Sequence, residues 1–373
     1  LKITGLELYT VALPARQVFH WRGGTASSQK VIVKLNTDDG LVGLGEADPI
    51  PSDWGHDADT MHIAIKRFIE PALIGMNPFD IEGIWSKLAE TLAFWHLSTS
   101  MLMERAGVDA ALYDLMGKAS GQPVHRLLGG SFFQQIPVAA VMTLDEPDKM
   151  AAEALQAQAQ GYGEFKIKVG LDPDIDVQRV RAVRTALGSA ANIRVDANGG
   201  WTANAAVKVI KAMEAYDLML VEQPVPRFDI KGLAHIRRKV DTPIMVDESL
   251  DSIHDALVLL ENEACDLFNI KYHRVGGLTH ARKLLAFAEA AGIRCMVGGE
   301  LESGVGTAIG LHLMASSPLF TIAADLIGPV HYSDDILMNN FVILQGMLPV
   351  PTGPGLGVEL DEAKMRRYTV QSS

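Results

Sequence analysis

Ile193-Arg194-Val195-Asp196, Leu218-Met219-Leu220-Val221-Glu222 and Pro243-Ile244-Met245-Val246-Asp247 are three short apolar runs, each closing on an acid, and the acids follow one another at intervals of 26 and 25 residues. The same texture extends in both directions. Ile136–Met142 and Phe165–Val169 precede these runs, and Leu267–Ile270, Arg294–Val297 and Thr321–Ala324 follow them. Between the runs lie stretches such as Val177, Val180, Val183 and Leu187, or Leu278, Ala281, Leu285 and Ala288. Those spacings place apolar side chains on one face of a helix. Eight buried strands alternating with helices predict an α/β barrel rather than an open doubly wound sheet. An open sheet would carry a glycine-rich dinucleotide turn after its first strand, and none is present. The units share little sequence, so the period is architectural and not that of a solenoid.

The first 50 residues read as β-structure. Val31–Leu35 leads through Asp38-Asp39-Gly40 into Leu41–Leu44, a hairpin signal because glycine accepts positive φ without a Cβ clash. The polar stretch His20–Ser28, with Trp21 and Arg22, reads as a long loop able to cover a site. Residues 57–120 carry helical spacing and stop at Gly121-Gln122-Pro123. The turn-rich tail Leu348–Gly357 is expected to pack back on the N-terminal module.

The whole chain has 373 residues, 48% apolar and 21% charged, which supplies a sizeable core and rules out wholesale disorder. A formal net charge of −12 argues against nucleic acid or an anionic membrane surface as the main partner. The two cysteines cannot build a disulfide framework, and no run is long and apolar enough to span a bilayer. With no signal peptide visible, a cytoplasmic protein is the expectation.

In a parallel barrel the strand C-termini open onto one rim, where the chemistry is placed. Asp196, Glu222 and Asp247 therefore project from adjacent strand ends toward one point. Carboxylates that close repel unless a cation sits among them. Oxygen-only donors suit Mg²⁺ or Mn²⁺, and zinc is disfavoured because no His or Cys accompanies them. Any one of these acids alone reads equally well as a helix cap. Three at successive strand ends, flanked by lysines, do not. Lys166 and Lys168 stand at i and i+2 on one strand and face the same way, whereas Lys271, at the end of another strand, lies across the mouth. Amines on opposite sides of a substrate suit proton transfer at either face, and crowding by a neighbouring ammonium and a metal ion would lower a lysine toward useful basicity. The acids Glu300 and Glu302, in a glycine-rich turn after the seventh run, suit either orienting a lysine or polarising a substrate group; a plain surface turn is the bland alternative.

The set Lys166-x-Lys168, Asp196, Glu222, Asp247, Lys271 and Gly299-Glu300-Leu301-Glu302-Ser303-Gly304 resembles the enolase superfamily, in its muconate-lactonizing-enzyme subgroup. Val108–Lys118, Pro123–Gly130 and Pro354–Gly357 are also similar to it, so the resemblance spans essentially the whole chain. It implies a (β/α)7β TIM-like barrel at 126–344 under an α+β capping domain at 1–125, completed by about 345–373. It further implies abstraction of the proton α to a carboxylate, with a Lys or His base and Mg²⁺. Asp196, Glu222 and Asp247 would be the metal ligands, Lys168 and Lys271 the acid/base pair, Lys166 the holder of the substrate carboxylate, and Glu302 the acid facing the substrate.

A small carboxylate, handled by a homo-oligomer with a muconate cycloisomerase-like reaction, is the preferred expectation. The alternatives within the superfamily are racemisation or epimerisation of an N-substituted amino acid or dipeptide, and dehydration of a small hydroxy or imino acid. Ala323-Ala324-Asp325-Leu326 is closer to the cycloisomerase pattern than to the Asp-x-Asp pair with which dipeptide epimerases bind an amino terminus. Tyr272-His273-Arg274 departs from the cycloisomerases, and an Arg and a His near the site would suit a second anionic or polar group. A Schiff-base barrel using one lysine and a barrel kept as a binding protein are the alternatives outside the superfamily.

Overall fold

The computed structural model describes residues 1–16, 18–21, 24–25, 28–50, 55–92 and 101–370. The chain opens on an antiparallel sheet of β1 (Ile3–Ala12), β2 (Gln29–Thr37) and β3 (Val42–Ala47), with β2 in the middle. The expected hairpin joins β2 to β3, with Gly40 at φ +86°. Helices α1 (Ala58–Ala64), α2 (Ile81–Leu92) and α3 (Leu102–Ser120) cover the sheet. α3 is buried over nearly its whole length and ends at Gly121, which takes the left-handed conformation at φ +65°. It lies so close to β3 that a methyl on Gly45 would overlap the carbonyl oxygen of Gly107. From its other side, Asp109 Oδ2 accepts the backbone N–H of Thr279 at 2.9 Å, which ties α3 to the next unit.

That unit is a parallel sheet of seven strands paired in sequence order: β4 (Ala140–Met142), β5 (Glu164–Lys168), β6 (Asn192–Asp196), β7 (Leu218–Glu222), β8 (Ile244–Val246), β9 (Leu267–Ile270) and β10 (Arg294–Val297). A helix follows each: α4 (Pro147–Ala159), α5 (Pro173–Leu187), α6 (Ala203–Met213), α7 (Ile230–Arg237), α8 (Ile253–Glu261), α9 (Leu278–Ala291) and α10 (Gly304–Ala315). Strand alternation sends Phe165, Ile167, Ile193 and Val195 outward into the layer shared with the helices. Leu220, Met245, Leu267, Met296 and Ile322 form a separate apolar cluster of their own.

Two of the eight predicted runs differ in detail. The first is broken: Gln135–Pro137 pairs with Met347–Pro349, and only Ala140–Met142 pairs with β5. The eighth, Thr321–Ala324, forms no regular strand and is joined to its two neighbours by isolated bridges. Thr321 N–H donates to Cys295 O at 3.2 Å and Asp325 N–H to Val297 O at 3.1 Å, on the β10 side. On the other side, Ala324 N–H donates to Pro137 O at 2.8 Å and Ala139 N–H to Ala324 O at 2.9 Å. These bonds close the barrel between its last strand and its first.

The tail returns to the N-terminal unit, where Val370 N–H donates to Thr10 O on β1 and Leu356 N–H to Asp114 Oδ1 on α3. Part of the long loop is a short ribbon, His20–Trp21 against Gly24–Thr25. His20 bonds Thr143, just beyond the end of β4, through both its N–H and its carbonyl, and this fixes that part of the loop at the barrel rim. Arg22, like His96, lies outside the described residues. No helix among the described residues is long and apolar enough to cross a membrane.

Candidate active site

Strand register performs the first step of assembly. Lys168 stands opposite Asp196, and Asp196 opposite Glu222, so one layer at the C-terminal ends of β5, β6 and β7 presents an amine and two carboxylates side by side. Asp247 follows β8 directly and Lys271 follows β9. Lys166 lies one inward position deeper on β5, opposite Arg194 on β6. The strands that carry Lys168 and Lys271 have β6, β7 and β8 between them, which sets the two amines on different walls.

Lys166 and Lys168 share Asp196, whereas Lys271 has acids of its own. Lys166 Nζ lies 2.8 Å from Asp325 Oδ2, 2.8 Å from Glu222 Oε2 and 3.0 Å from Asp196 Oδ2. Lys168 Nζ donates to Asp196 Oδ2 at 2.7 Å and to Asn198 Oδ1 at 3.0 Å. Lys271 Nζ reaches Glu300 Oε1 at 2.5 Å and Asp247 Oδ2 at 3.0 Å. Arg274 covers the other oxygen of Asp247 at 2.7 Å and reaches Asp251 at 2.8 Å. Beneath the layer, Arg194 is fully buried between Asp325 and Glu164.

Without the ion, the acids around Lys166 and Lys271 act against the lowering of basicity expected from crowding and a metal. Burial alone would lower Lys166 and Lys271, but the acids around them outweigh it. Asp196, Asp325 and Glu222 hold Lys166 above the usual lysine range, and Asp247 and Glu300 do the same for Lys271. The two lysines serve as counter-charges to buried acids, which favours the ammonium form.

Acid is nevertheless in excess. Burial, then repulsion from Asp196, pushes Glu222 up to about 8 despite Lys166. Burial, then Asp247 and Asp196, pushes Glu248 up to about 7. Glu248 Oε2 is buried without a hydrogen bond, and Glu222 Oε2 is close to Lys166 but not aligned with it for one. Among the described residues, no three His, Cys, Asp or Glu side chains stand close enough together to grip an ion as they are. The ammonium of Lys166 stands between Asp196 and Glu222, and the guanidinium of Arg274 stands on Asp247. In its chemistry the donor set fits a hard divalent cation: it is all oxygen, and it retains uncompensated negative charge that such an ion would relieve.

The structure thus brings together six of the seven residues singled out from sequence: Lys166, Lys168, Asp196, Glu222, Asp247 and Lys271. Glu302 stands apart. It is buried, its oxygens accept from the N–H groups of Glu300 and Gly328 and from the Thr307 hydroxyl, and burial pushes it up to about 7. Glu300, two residues earlier, is the acid that reaches a lysine. His273 and Arg274 also differ from expectation. Both are buried, and both turn toward protein carboxylates rather than offering charge to a second substrate group. Asn198, Glu248, Asp325 and Arg194 complete the cluster. The first two were visible as neighbours of Asp196 and Asp247; the pairing of the last two across the barrel floor has no sequence signal.

Comparison with known proteins identifies the family of the chain. The family model described as mandelate racemase / muconate lactonizing enzyme, N-terminal domain, matches residues 6–129, and that described as enolase C-terminal domain-like matches 149–364. The chain is 36% identical to N-succinyl-L-Arg/Lys racemase of Bacillus cereus over 99% of its own length and 98% of the relative's. The crystal structure of N-succinyl Arg/Lys racemase from that organism superposes with a TM-score of 0.94, covering 100% of this chain and 99% of the other. A dipeptide epimerase from Enterococcus faecalis, solved in complex with Mg and the dipeptide L-Leu-L-Tyr, matches at a TM-score of 0.90 and 34% identity, over 96% and 100% of the two chains. Muconate cycloisomerase 1 of Rhodococcus opacus is 31% identical over 99% of both.

Proposed function

From the premise that the chain belongs to the enolase superfamily, in its mandelate racemase/muconate lactonizing enzyme family, we propose that it is a Mg²⁺-dependent racemase or epimerase of an N-substituted amino acid. The observation that carries the proposal is the placement of Lys168 and Lys271 on walls four strands apart, each held by a different acid. The relatives weigh the same way. A racemase of N-succinylated amino acids and a dipeptide epimerase are at least as similar to this chain as the cycloisomerase is, and the cycloisomerase preference gives way to the racemase reading.

Asp196, Glu222 and Asp247 would hold the metal ion, which when bound supplies positive charge to the substrate carboxylate and so acidifies its α-carbon. The chain's own groups do the remainder. Lys166, at the floor, offers an ammonium to the carboxylate end. Lys168 takes the α-proton from one face or returns it, and Lys271 does the same at the other. The reverse reaction exchanges the two roles. The lysines are largely buried, so each amine acts in a setting where its charge counts for more than in bulk water.

Asp325 narrows the substrate. It is buried, and its oxygens are taken by Lys166 and Arg194, which leaves no free carboxylate on the eighth segment for an amino terminus. An acylated nitrogen, which carries no charge, suits that wall better than a free dipeptide does. The test is a panel of N-succinyl and N-acetyl amino acids, dipeptides and muconate, each incubated with Mg²⁺ and followed by polarimetry or product chromatography. Loss of optical rotation with N-acyl amino acids is the expected result. Turnover of muconate alone would overturn the reading, and full activity in EDTA with hydride trapping of a lysine adduct would replace it with Schiff-base chemistry.

A further inference from the structure

Lys271 is connected to the capping domain by a chain of polar and charged side chains that the proposed reaction does not use. Its ammonium lies 2.5 Å from Glu300 Oε1. The His273 ring approaches the same oxygen, with Nε2 3.7 Å from Glu300 Oε1 and Nδ1 3.9 Å from Asp48 Oδ2. Both separations are beyond hydrogen-bond length, and a charge–charge attraction across them requires the ring to be protonated. Asp48 directly follows β3, and its Oδ1 is paired with Lys30 Nζ at 2.9 Å. Lys30, on β2, also donates to the backbone carbonyl of Glu300 at 3.2 Å. The capping sheet therefore holds Glu300 twice, once by its main chain and once through His273.

Lys30, Asp48 and His273 are almost wholly buried, whereas the Glu300 and Lys271 side chains retain 20% and 11% of their exposure. The pair thus sits at the edge of the buried region, where a flexible amine has room to move unless it is held. Among the described residues, the partners of Lys168 are Asp196 and Asn198, on the barrel strand beside it and at its end. The contacts that hold Lys271 reach the capping sheet.

We propose that Glu300 is a positioning residue for Lys271, held in place from the capping domain through His273, Asp48 and Lys30, so that proton transfer at the Lys271 face depends on Glu300 while transfer at the Lys168 face does not. The inference rests on the two-lysine reading above. Glu300 bears Lys271's charge and fixes the direction from which its Nζ approaches; it does not itself touch the reacting carbon. Held low by Lys271 and then His273 against the opposing effect of burial, its carboxyl is charged and able to do so. The separate tethering of the two amines also allows the two faces to be impaired one at a time.

The experiment follows α-hydrogen exchange from each enantiomer of an N-succinyl amino acid in D₂O with Mg²⁺-loaded protein, for the wild type and for Glu300→Gln, Glu300→Asp and His273→Phe. Wild-type exchange from both enantiomers upholds the two-lysine reading, and exchange from neither defeats that reading on its own. Given the former, Glu300→Gln should lose racemisation and exchange from one enantiomer about 10²-fold, while exchange from the other stays within about threefold, a limit set by experimental error and not by a lost contact. Glu300→Asp should recover part of the lost rate, and His273→Phe should show a weaker loss of the same one-sided kind. Equal loss from both enantiomers in Glu300→Gln, or no loss, would overturn the assignment. A raised KM with unchanged kcat would also overturn it, since Glu300 would then be contacting substrate. Circular dichroism and thermal melting separate these outcomes from misfolding, and a Glu300→Gln protein that melts like the wild type yet loses neither face counts against the proposal.

Discussion

Asp325 shows how much one side chain can carry in this fold. It pairs with Lys166 and Arg194 together in a buried region. Asp325→Asn leaves a buried guanidinium short of a partner, and a loss of about 3–5 kcal/mol in chemical denaturation is expected. A loss below about 1 kcal/mol would mean that Glu164 alone suffices for Arg194. Asp247→Asn removes one oxygen charge from the proposed ligand set, and titration calorimetry should show Mg²⁺ affinity reduced about 10–100-fold or more; unchanged affinity would remove Asp247 from that set. The six clustered residues were legible in the sequence because strand ends in a barrel converge whatever the helices do. Glu300 and Glu302 were not separable there. Both lie in one turn, and only the packing of that turn under the capping sheet decides that Glu302 faces Thr307 and Gly328 while Glu300 faces Lys271.

Among the elements, α3 and α10 determine how the cap sits on the barrel. Gly45 and Gly107 allow β3 and α3 to touch backbone to backbone, so Gly45→Ala should cost about 3 kcal/mol of stability, measured by urea denaturation. On α10, His312 is fully buried, with Nε2 donating to the carbonyl of Leu356 in the tail and Nδ1 accepting from the N–H of His125. Burial, reinforced by the nearby His125, lowers His312 to about 4. The folded state therefore binds fewer protons there than the unfolded state between about 4 and 6.5, and the stability from this histidine is complete above that window and lost as pH falls through it. Between pH 7 and pH 5 the wild type should lose about 2 kcal/mol more than His312→Asn. Parallel denaturation curves at the two pH values would contradict this. The regular period of apolar runs made the barrel strands readable, whereas the broken first strand and the bridged eighth were not. Pro137, which has no N–H to donate, and the shared hydrogen bonds of Thr321–Asp325 decide those, and both depend on partners distant in sequence.

For the whole molecule, the capping sheet and the barrel together enclose a site rich in acid, and charge balance links folding to the metal ion. Saturating Mg²⁺, at a hundredfold its dissociation constant, should stabilise the fold by about 2.7 kcal/mol, read as a rise in Tm that EDTA reverses. The central claim is that two amines serve two faces of one carbon, and it is tested most directly by solvent-deuterium exchange from the separate enantiomers of an N-succinyl amino acid with Lys168→Ala and Lys271→Ala. Each variant should fold normally, lose racemisation about 10²–10⁴-fold, and retain exchange from one enantiomer only, the two variants retaining opposite ones. Exchange from both enantiomers in either variant, or retention of the same enantiomer by both, would contradict the account.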